Sequence, residues 1–325
     1  MRFRPLILVT LFAILSCKKE NNNLENKTEF RQEMREFVIG ISKYAKAANP
    51  KFLIVPQNGI QLVSSNGDVN GQPNTAYLNA IDANGQEDLF YGYDNDDQET
   101  STQYNLNLKA LLNISKNSGK TILVTDYCKT PSKMVDSYSK NSNQGYISFA
   151  ANQRELNNIP SFPNPINQEN NTIITNLSQI KNFLYLINST SFSTKSAFIT
   201  AVNSTNYDLL IMDLYFNDGT AFTSAEISQL KNKANGGKRL IISYMSIGEA
   251  ENYRYYWQSN WNTNKPIWLD TENPNWAGNY EVKYWNKEWQ NIIYGNNNSY
   301  LKKILDANFD GVYLDIIDGF EYYEK

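Results

Sequence analysis

Apolar positions along the chain take a helical period first. From Glu29 to Ala48, residues Phe30, Met34, Phe37, Val38, Ile41, Tyr44 and Ala45 recur on one face of a helix. Eight short runs then read as buried strands: Phe52 to Pro56, Ala80 to Ala83, Thr121 to Asp126, Tyr146 to Ala150, Phe183 to Ile187, Leu209 to Leu214, Arg239 to Met245 and Gly311 to Ile316. Helical patterns lie between most of them, notably Leu106 to Lys116, Thr194 to Val202, Ser224 to Ala234 and Trp285 to Ala307. This alternation predicts a (β/α)8 barrel, a TIM barrel, over residues 29–325. An open doubly wound sheet would want a glycine-rich phosphate turn after an early strand, and neither GxGxxG nor GxxxxGK[ST] occurs.

The final run sits in FDGVYLDIIDGFEYYEK, a parallel-type strand with no crossover helix after it. A closed barrel has no edge, so the helix Glu29 to Ala48 can take the place next to that strand. The expectation is a circularly permuted barrel in which Gly311 to Ile316 pairs with Phe52 to Pro56; the alternative is that the first helix caps the barrel bottom.

Upstream of the barrel the pattern changes. Arg2 and Arg4 precede an apolar run from Leu6 to Leu15, too short for a mature bilayer span, so residues 1–16 read as a signal peptide. The run ends in Ile14-Leu15-Ser16-Cys17, which looks like a bacterial lipobox with Cys17 as the lipidated residue. Residues 17–28, largely KKENNNLENK, have no apolar period and are expected to be a flexible tether. These features predict a lipid-anchored protein of the cell envelope, on the outer membrane or cell surface of a Gram-negative bacterium, and a monomer.

Composition narrows the chemistry. The 325 residues carry 30 Lys+Arg and 33 Asp+Glu, and removing Arg2 and Arg4 with the signal leaves a net charge of about −5. That disfavours nucleic acid and favours neutral or cationic partners. No histidine occurs, which excludes a Ser-His-Asp triad, a Cys-His pair and the usual zinc sites. Cys128, the second of two cysteines, reads as a buried apolar residue. No EF-hand spacing is present, and neither metal nor cofactor is expected.

In a barrel the site lies at the C-terminal ends of the strands. The residues there are Gln57 and Asn58, Glu87, Asp126 and Tyr127, Asp213 and Tyr215, Ser246, Glu249 and Glu251, and Asp315 and Asp318. Any one acid could be a helix cap or a strand-end ion pair. A ring of them without metal-type partners is the equipment of glycoside hydrolysis. All six tryptophans fall between Trp257 and Trp289, interleaved with tyrosines. Most are expected to pack, with Trp276 the exposed one because Pro274, Gly278 and Asn279 put it in a loop.

The stretches SYMSIGEAENYRYYW, PIWL, ENPNWAGNYEVKYW and FDGVYLDIIDGFEY resemble a bacterial and archaeal glycosidase family related to the endo-α-1,4-polygalactosaminidases of glycoside hydrolase family 114. In the usual order of that family a segment like EMREFVIGISKYAKAANPKFLIVPQNG follows the FDGVYLDIID strand, whereas here it precedes everything else, so the resemblance runs from Phe30 to Tyr323 in permuted order. It implies that Asp315 is the nucleophile and that Glu87, in IDANGQEDLFY, is the acid/base. The Asn-Glu pair of the relatives reads Gln86-Glu87 here, and their Lys-Asn reads Gln57-Asn58, which puts the substrate's identity in doubt. Asp213, Tyr215, Tyr244, Glu249, Glu251, Arg254, Trp276, Asp318, Gln57, Asn58, Tyr91, Asp126 and Tyr127 are then expected to hold an α-linked polysaccharide, with surplus acids suited to an amino sugar. The rival expectation is a surface lipoprotein that binds glycan without cleaving it. For the anchor, Cys17→Ser should move the protein from the membrane fraction to the soluble one; continued retention of that variant would overturn the lipoprotein reading.

Overall fold

A computed structural model describes the backbone of residues 19–325 and the side chains of residues 29–325 apart from Asn262. The signal segment and Cys17 lie outside the described residues. The first helix, α1 (Lys19–Ala48), takes in the polar stretch expected to be a tether as well as the predicted helix. No Gly or Pro interrupts residues 19–39, and Glu, Lys, Gln and Arg there are good helix formers. Met34, Phe37, Val38, Ile41 and Ala45 are buried, as the 3.6-residue period requires.

The elements that follow are β1 (Leu53–Pro56), α2 (Thr75–Ala80), β2 (Ala83–Glu87), α3 (Thr102–Asn117), β3 (Thr121–Tyr127), α4 (Pro131–Gln144), β4 (Ile147–Ala151), β5 (Phe183–Tyr185), α5 (Lys195–Asn203), β6 (Leu209–Asp213), α6 (Ser224–Leu230) and β7 (Leu240–Ser246). An insertion then contributes β8 (Glu249–Glu251), β9 (Leu269–Glu272) and β10 (Asn279–Val282), and the chain ends with α7 (Lys287–Ile293), α8 (Tyr300–Asp306), β11 (Gly311–Asp315) and α9 (Phe320–Tyr323). The fold is mixed α/β. Eight strands run parallel in two sheets, ordered β1-β11-β7-β6-β5 and β2-β3-β4, while β8-β10-β9 is a separate antiparallel sheet.

The two parallel sheets meet at both ends. A bridge between Gln57 and Gly85 links β1 to β2, and the Asn58 N–H donates to the Gly85 carbonyl at 3.0 Å. At the other junction, Phe149 of β4 and Phe183 of β5 bring their ring centroids to 5.8 Å. The five-stranded sheet is strongly curled: Tyr185 on one edge strand donates from its hydroxyl to Gln57, just after the other edge strand, at 2.8 Å. Its ring also lies 5.2 Å from that of Tyr313 on β11. Helix α1 packs between α2 on one side and α8 and α9 on the other.

Three expectations change. The run Ala80 to Ala83 is not a strand. Asn74 caps α2 by accepting from the Tyr77 N–H at 3.1 Å, the helix runs to Ala80, and the strand is the less apolar ANGQE. Its pattern hides because Gly85 is a contact glycine: a Cβ there would stand 2.1 Å from the Tyr313 hydroxyl oxygen. The single helix expected over Trp285 to Ala307 is two, α7 and α8, broken at Gly295 with φ 101° and the asparagines after it. Helix α4 lacked a clear apolar period and announces itself by Thr130-Pro131, with proline at the first turn.

At the N-terminal ends of the strands one device recurs. Asp82, Asp208 and Asp310 each precede a strand, and each carboxylate accepts from a backbone N–H of the neighbouring segment at 2.8 Å: Ile54, Lys181 and Ile241 respectively. Each also pairs with a lysine, Lys46 at 3.0 Å, Lys233 at 2.8 Å and Lys231 at 2.7 Å. Only the Lys233–Asp208 pair is wholly buried, with both side chains at 0% exposure. Lys233→Met would strand the Asp208 charge without its cation, which costs about 3–5 kcal/mol in a buried pair, whereas Lys231→Met at its part-exposed pair should cost about 1 kcal/mol or less. Denaturant titration of both variants checks this; equal losses would mean that burial does not set the strength of these staples.

Candidate active site

The opposite face, at the C-terminal strand ends, holds a cleft of about 980 Å³. Side chains alternate along a strand, so residues two apart share a face. By that rule Gln57, Glu87, Tyr127, Tyr185, Asp213, Tyr244 and Asp315 are presented together, and all of them line the cleft. Asn58, Tyr215, Glu249, Glu251, Arg254, Trp276 and Asp318 also line it.

Glu87 ends β2 and Asp315 ends β11, with β1 between their strands. Each carboxylate has its own hydroxyl donor. Tyr127 donates to Glu87 Oε1, and Tyr244 donates to Asp315 Oδ2 at 2.7 Å. Asn58 Nδ2 donates to Glu87 Oε2 at 3.1 Å, and the Ile316 N–H donates to Asp315. Burial, followed by the Glu87 charge, pushes Asp315 up to about 8. Asp318 receives no side-chain donor among the described residues, and burial and Glu321 push it up to about 7.

The turn carrying these acids is held in an uncommon backbone conformation. Ile316, directly after Asp315, has φ 56°, the left-handed region that a β-branched residue avoids. Gly248 makes it possible: a Cβ there would stand 2.2 Å from the Ile316 carbonyl oxygen.

A second group forms one wall. Arg254 pairs with Asp213 at 2.7 Å and with Glu251 at 2.6 Å, and its guanidinium lies over Tyr253, Tyr300 and Tyr215 at 5.2, 5.6 and 5.9 Å. Burial raises Asp213 and Arg254 opposes it. Glu249 is held by Asn273 at 2.6 Å and Asn279 at 3.1 Å, and burial raises it too. The insertion brings Trp276 to the rim with 51% exposure, while Trp261, Trp268 and Trp289 are buried and pack edge to face or tilted at about 5.0 Å. Among the described residues no group of acidic or sulfur side chains is arranged to hold a metal ion.

Two expected site residues lie elsewhere. Asp126 precedes Tyr127 on β3 and so faces away from the cleft; buried, it accepts from the backbone N–H groups of Phe90 at 2.8 Å and Tyr91 at 3.2 Å, from Ser137 at 2.6 Å and from Asn141 at 2.9 Å. That is a staple between the β2 loop and α4. Tyr91 is buried with its hydroxyl on Asp136 at 2.7 Å and Glu99 at 3.1 Å, outside the cleft lining. Ser246 is also buried, donating to the Glu249 carbonyl at 3.0 Å. Conversely, Arg154, Tyr185, Tyr253 and Asn279 line the cleft without having been anticipated. Tyr185 was hidden inside the apolar run Phe183 to Ile187, which continues past the strand's end. Arg154 follows β4, stacks 3.8 Å over the Tyr127 ring and pairs with Asp88 at 2.9 Å and Asp96 at 2.8 Å.

A parallel α/β fold with an acid-lined cleft at the strand ends and an aromatic rim is an arrangement found in enzymes that act on carbohydrate. Residues 181–325 match the model of glycoside-hydrolase family GH114, and this part of the chain is related to that glycosidase family. The matched region contains Asp213, Tyr244 and Asp315 but not Asn58, Glu87 or Tyr127. An uncharacterized protein of Methanocaldococcus jannaschii is 42% identical over 162 residues, 49% of this chain and 43% of its own length. Uncharacterized proteins of Thermotoga maritima and Deinococcus radiodurans are 40% and 36% identical over 38% and 39% of this chain, covering 36% and 38% of theirs. The match thus spans less than half of each of these relatives.

The raised acids have a measurable cost. A carboxyl at about 8 in the fold and 3.8 when free weakens folding only where it must ionise, so its penalty is absent below pH 4, grows between pH 4 and 8 and is full above. Asp315→Asn should therefore match the parent in Tm near pH 4 and exceed it at pH 8, at about 2–4 °C for each kcal/mol relieved. Thermal unfolding at pH 4, 6 and 8 decides; an Asn variant that is less stable at pH 8 would contradict a desolvated, coupled carboxyl.

Proposed function

We propose that this protein is a glycoside hydrolase that cleaves α-linked polysaccharide through the carboxyl pair Asp315 and Glu87, with retention of configuration. The observation that carries the reading is that these two carboxyls face one cleft from either side of β1, each on its own tyrosine hydroxyl, with Asp315 raised by burial and then by the Glu87 charge. A double displacement needs Asp315 ionised and Glu87 protonated, so substrate binding has to move to Glu87 the proton that burial favours on Asp315 in the free site. With that proton on Glu87, ionised Asp315 attacks the anomeric carbon while Glu87 protonates the departing oxygen. In the second step Glu87 takes a proton from water, and the water oxygen displaces Asp315 from the sugar. The donors to Asp315, the Tyr244 hydroxyl and the Ile316 N–H, stabilise its ionised form. Asp213, Glu249, Glu251, Asp318, Gln57 and the Trp276 rim are the groups for sugar hydroxyls and ring faces. Amino-sugar polymers are the first substrates to try, because acids outnumber Arg154 and Arg254 in the lining and both arginines are already paired.

The same reading takes the two parallel sheets as one closed (β/α)8 barrel, permuted so that α1 fills the helix position between β11 and β1. Its support is the parallel β1–β11 pairing, the Gln57–Gly85 bridge and the contact of Tyr185 with Gln57 across the curl. Anchoring at the cell envelope through Cys17 belongs to the proposal as well, on the strength of the lipobox alone.

Turnover of α-linked oligosaccharides with product analysis tests the enzyme reading. Asp315→Asn should lower kcat by roughly 10⁴-fold or more with glycan affinity nearly unchanged. Glu87→Gln should lose about 10²–10⁴-fold on natural glycans and much less where the leaving group needs no proton. An Asp315→Asn variant with full activity would overturn the reading, and a wild-type protein that binds glycan without cleaving it would replace it with the lipoprotein binder.

A further inference from the structure

We propose that Asn58 is a positioning residue that decides which oxygen of Glu87 carries the catalytic proton: it reserves Oε2 as an acceptor, so the proton is held and delivered on Oε1, beneath the Tyr127 hydroxyl. This rests on the reading of Glu87 as the acid/base.

The orientation of the Asn58 amide is fixed by its neighbours. Its Oδ1 accepts from the Glu87 N–H at 3.0 Å and from Gln86 Nε2 at 3.2 Å. Both are donors, so a flipped amide would set its NH2 against two N–H groups. The group facing Glu87 Oε2 at 3.1 Å is therefore the amide nitrogen, which donates and cannot accept. A proton on Oε2 along that contact would point donor at donor, and anywhere else on Oε2 it would weaken the acceptance from Asn58. Oε1 differs, because a phenol hydroxyl either donates or accepts. Tyr127 donates to ionised Glu87 and can turn to accept, or turn away, when Oε1 is protonated.

The backbone makes this clamp rigid. Asn58 has φ 57° and is followed by Gly59 at φ 51°, a left-handed pair that asparagine and glycine tolerate. Its N–H is tied to the Gly85 carbonyl at 3.0 Å, so the side chain starts from a fixed point on the neighbouring strand. Position matters as much as rigidity. Asn58 follows β1, the strand between β2 and β11, so Oε2 is approached from the side of Asp315 and Oε1 from the side of β3. In the first step the Oε1 proton passes to the leaving oxygen as its bond to the anomeric carbon breaks and the Asp315 ester forms. In the second, a water proton returns to Oε1 as the ester breaks, and no other proton carrier is required.

The test compares an α-1,4-galactosamine oligomer with the same oligomer bearing a 2,4-dinitrophenyl leaving group, using full-length protein. Asn58→Gly removes the amide while keeping the left-handed backbone easy, and Tyr127→Phe removes the hydroxyl. Each should lower kcat by about 10- to 100-fold on the plain oligomer, with less than about 3-fold loss on the activated one and little change in KM. Equal losses on both probes, or none, would overturn the proposal, since a merely structural role cannot tell leaving groups apart. Should Asn58→Gly not fold, Asn58→Ser, whose side chain is too short to reach Oε2, takes its place. Glu87→Gln run alongside separates the two levels: if it alone discriminates between the probes, only the positioning role fails, and if it does not discriminate, the acid/base reading fails first. Absence of wild-type turnover across α-linked amino-sugar and neutral oligomers would overturn both.

Discussion

The pairing of Leu53–Pro56 with Gly311–Asp315 is the contact on which the rest of the site depends. It joins segments at opposite ends of the described chain, and it is a parallel ladder that neither segment could form locally. Through it Asp315 comes beside Gln57 and Asn58, and through the next bridge Asn58 comes beside Glu87. Without the β1–β11 ladder the residues around the two carboxyls would belong to unrelated surfaces. Helix α1 guards the ladder from outside, with Arg31 pairing to Glu324 of the last turn at 2.9 Å and the Phe30 carbonyl accepting from Tyr284, between β10 and α7, at 2.9 Å.

The two faces of the parallel sheets treat charge in opposite ways. At the N-terminal ends, every acid of the recurring device has both a lysine and a backbone donor, and the buried pair of Lys233 and Asp208 is fully matched. At the C-terminal ends, Asp315 and Asp318 are desolvated beside like charges with no cation of their own, and both are pushed toward or above neutrality. Such an arrangement opposes folding, and its presence on one face alone is what a site for proton transfer looks like. The burial that destabilises the fold is the same burial that puts a proton within reach at pH 7.

Much of this architecture was legible because burial leaves a period. The strands at Thr121, Leu209, Leu240 and Gly311 are largely apolar runs, and Asp315 stands at the end of one of them, so its position follows from the run itself. Strand β2 was displaced by three residues because its interior side must stay small to admit Tyr313, and a glycine-bearing, amide-rich strand carries no apolar signal. Glu87 was nevertheless picked out as an acid just past the run Ala80 to Ala83, and its acid/base role came from the resemblance of its loop. Asp126 failed for a different reason. Proximity to a strand end says nothing of which face a side chain takes, and one step of register separates a cleft-lining tyrosine from a structural acid. Contacts between distant segments, such as Arg154 with Tyr127 or Tyr185 with Gln57, have no local signature at all.

The left-handed residues tie these threads together. Asn58, Asp88 and Ile316, at φ 57°, 57° and 56°, each come directly after a cleft-facing residue: Gln57, Glu87 and Asp315. A strand that simply continued would carry its next side chain to the outer face, whereas a left-handed residue turns the backbone sharply and lets the strand's last inward group stand at the mouth. Asparagine and aspartate accept that conformation at small cost, but isoleucine does not. At Ile316 the cost is met by close packing: Gly248 from the β7 side and Gly59 from the β1 side both leave room, a Cβ on either coming within 2.7 Å of an Ile316 or Ile317 side chain. The turn from Ile316 to Asp318 is thus wedged between glycines next to the two strands that flank β11, and this wedge holds Asp318 in the cleft, where among the described residues no side chain donates to its carboxyl.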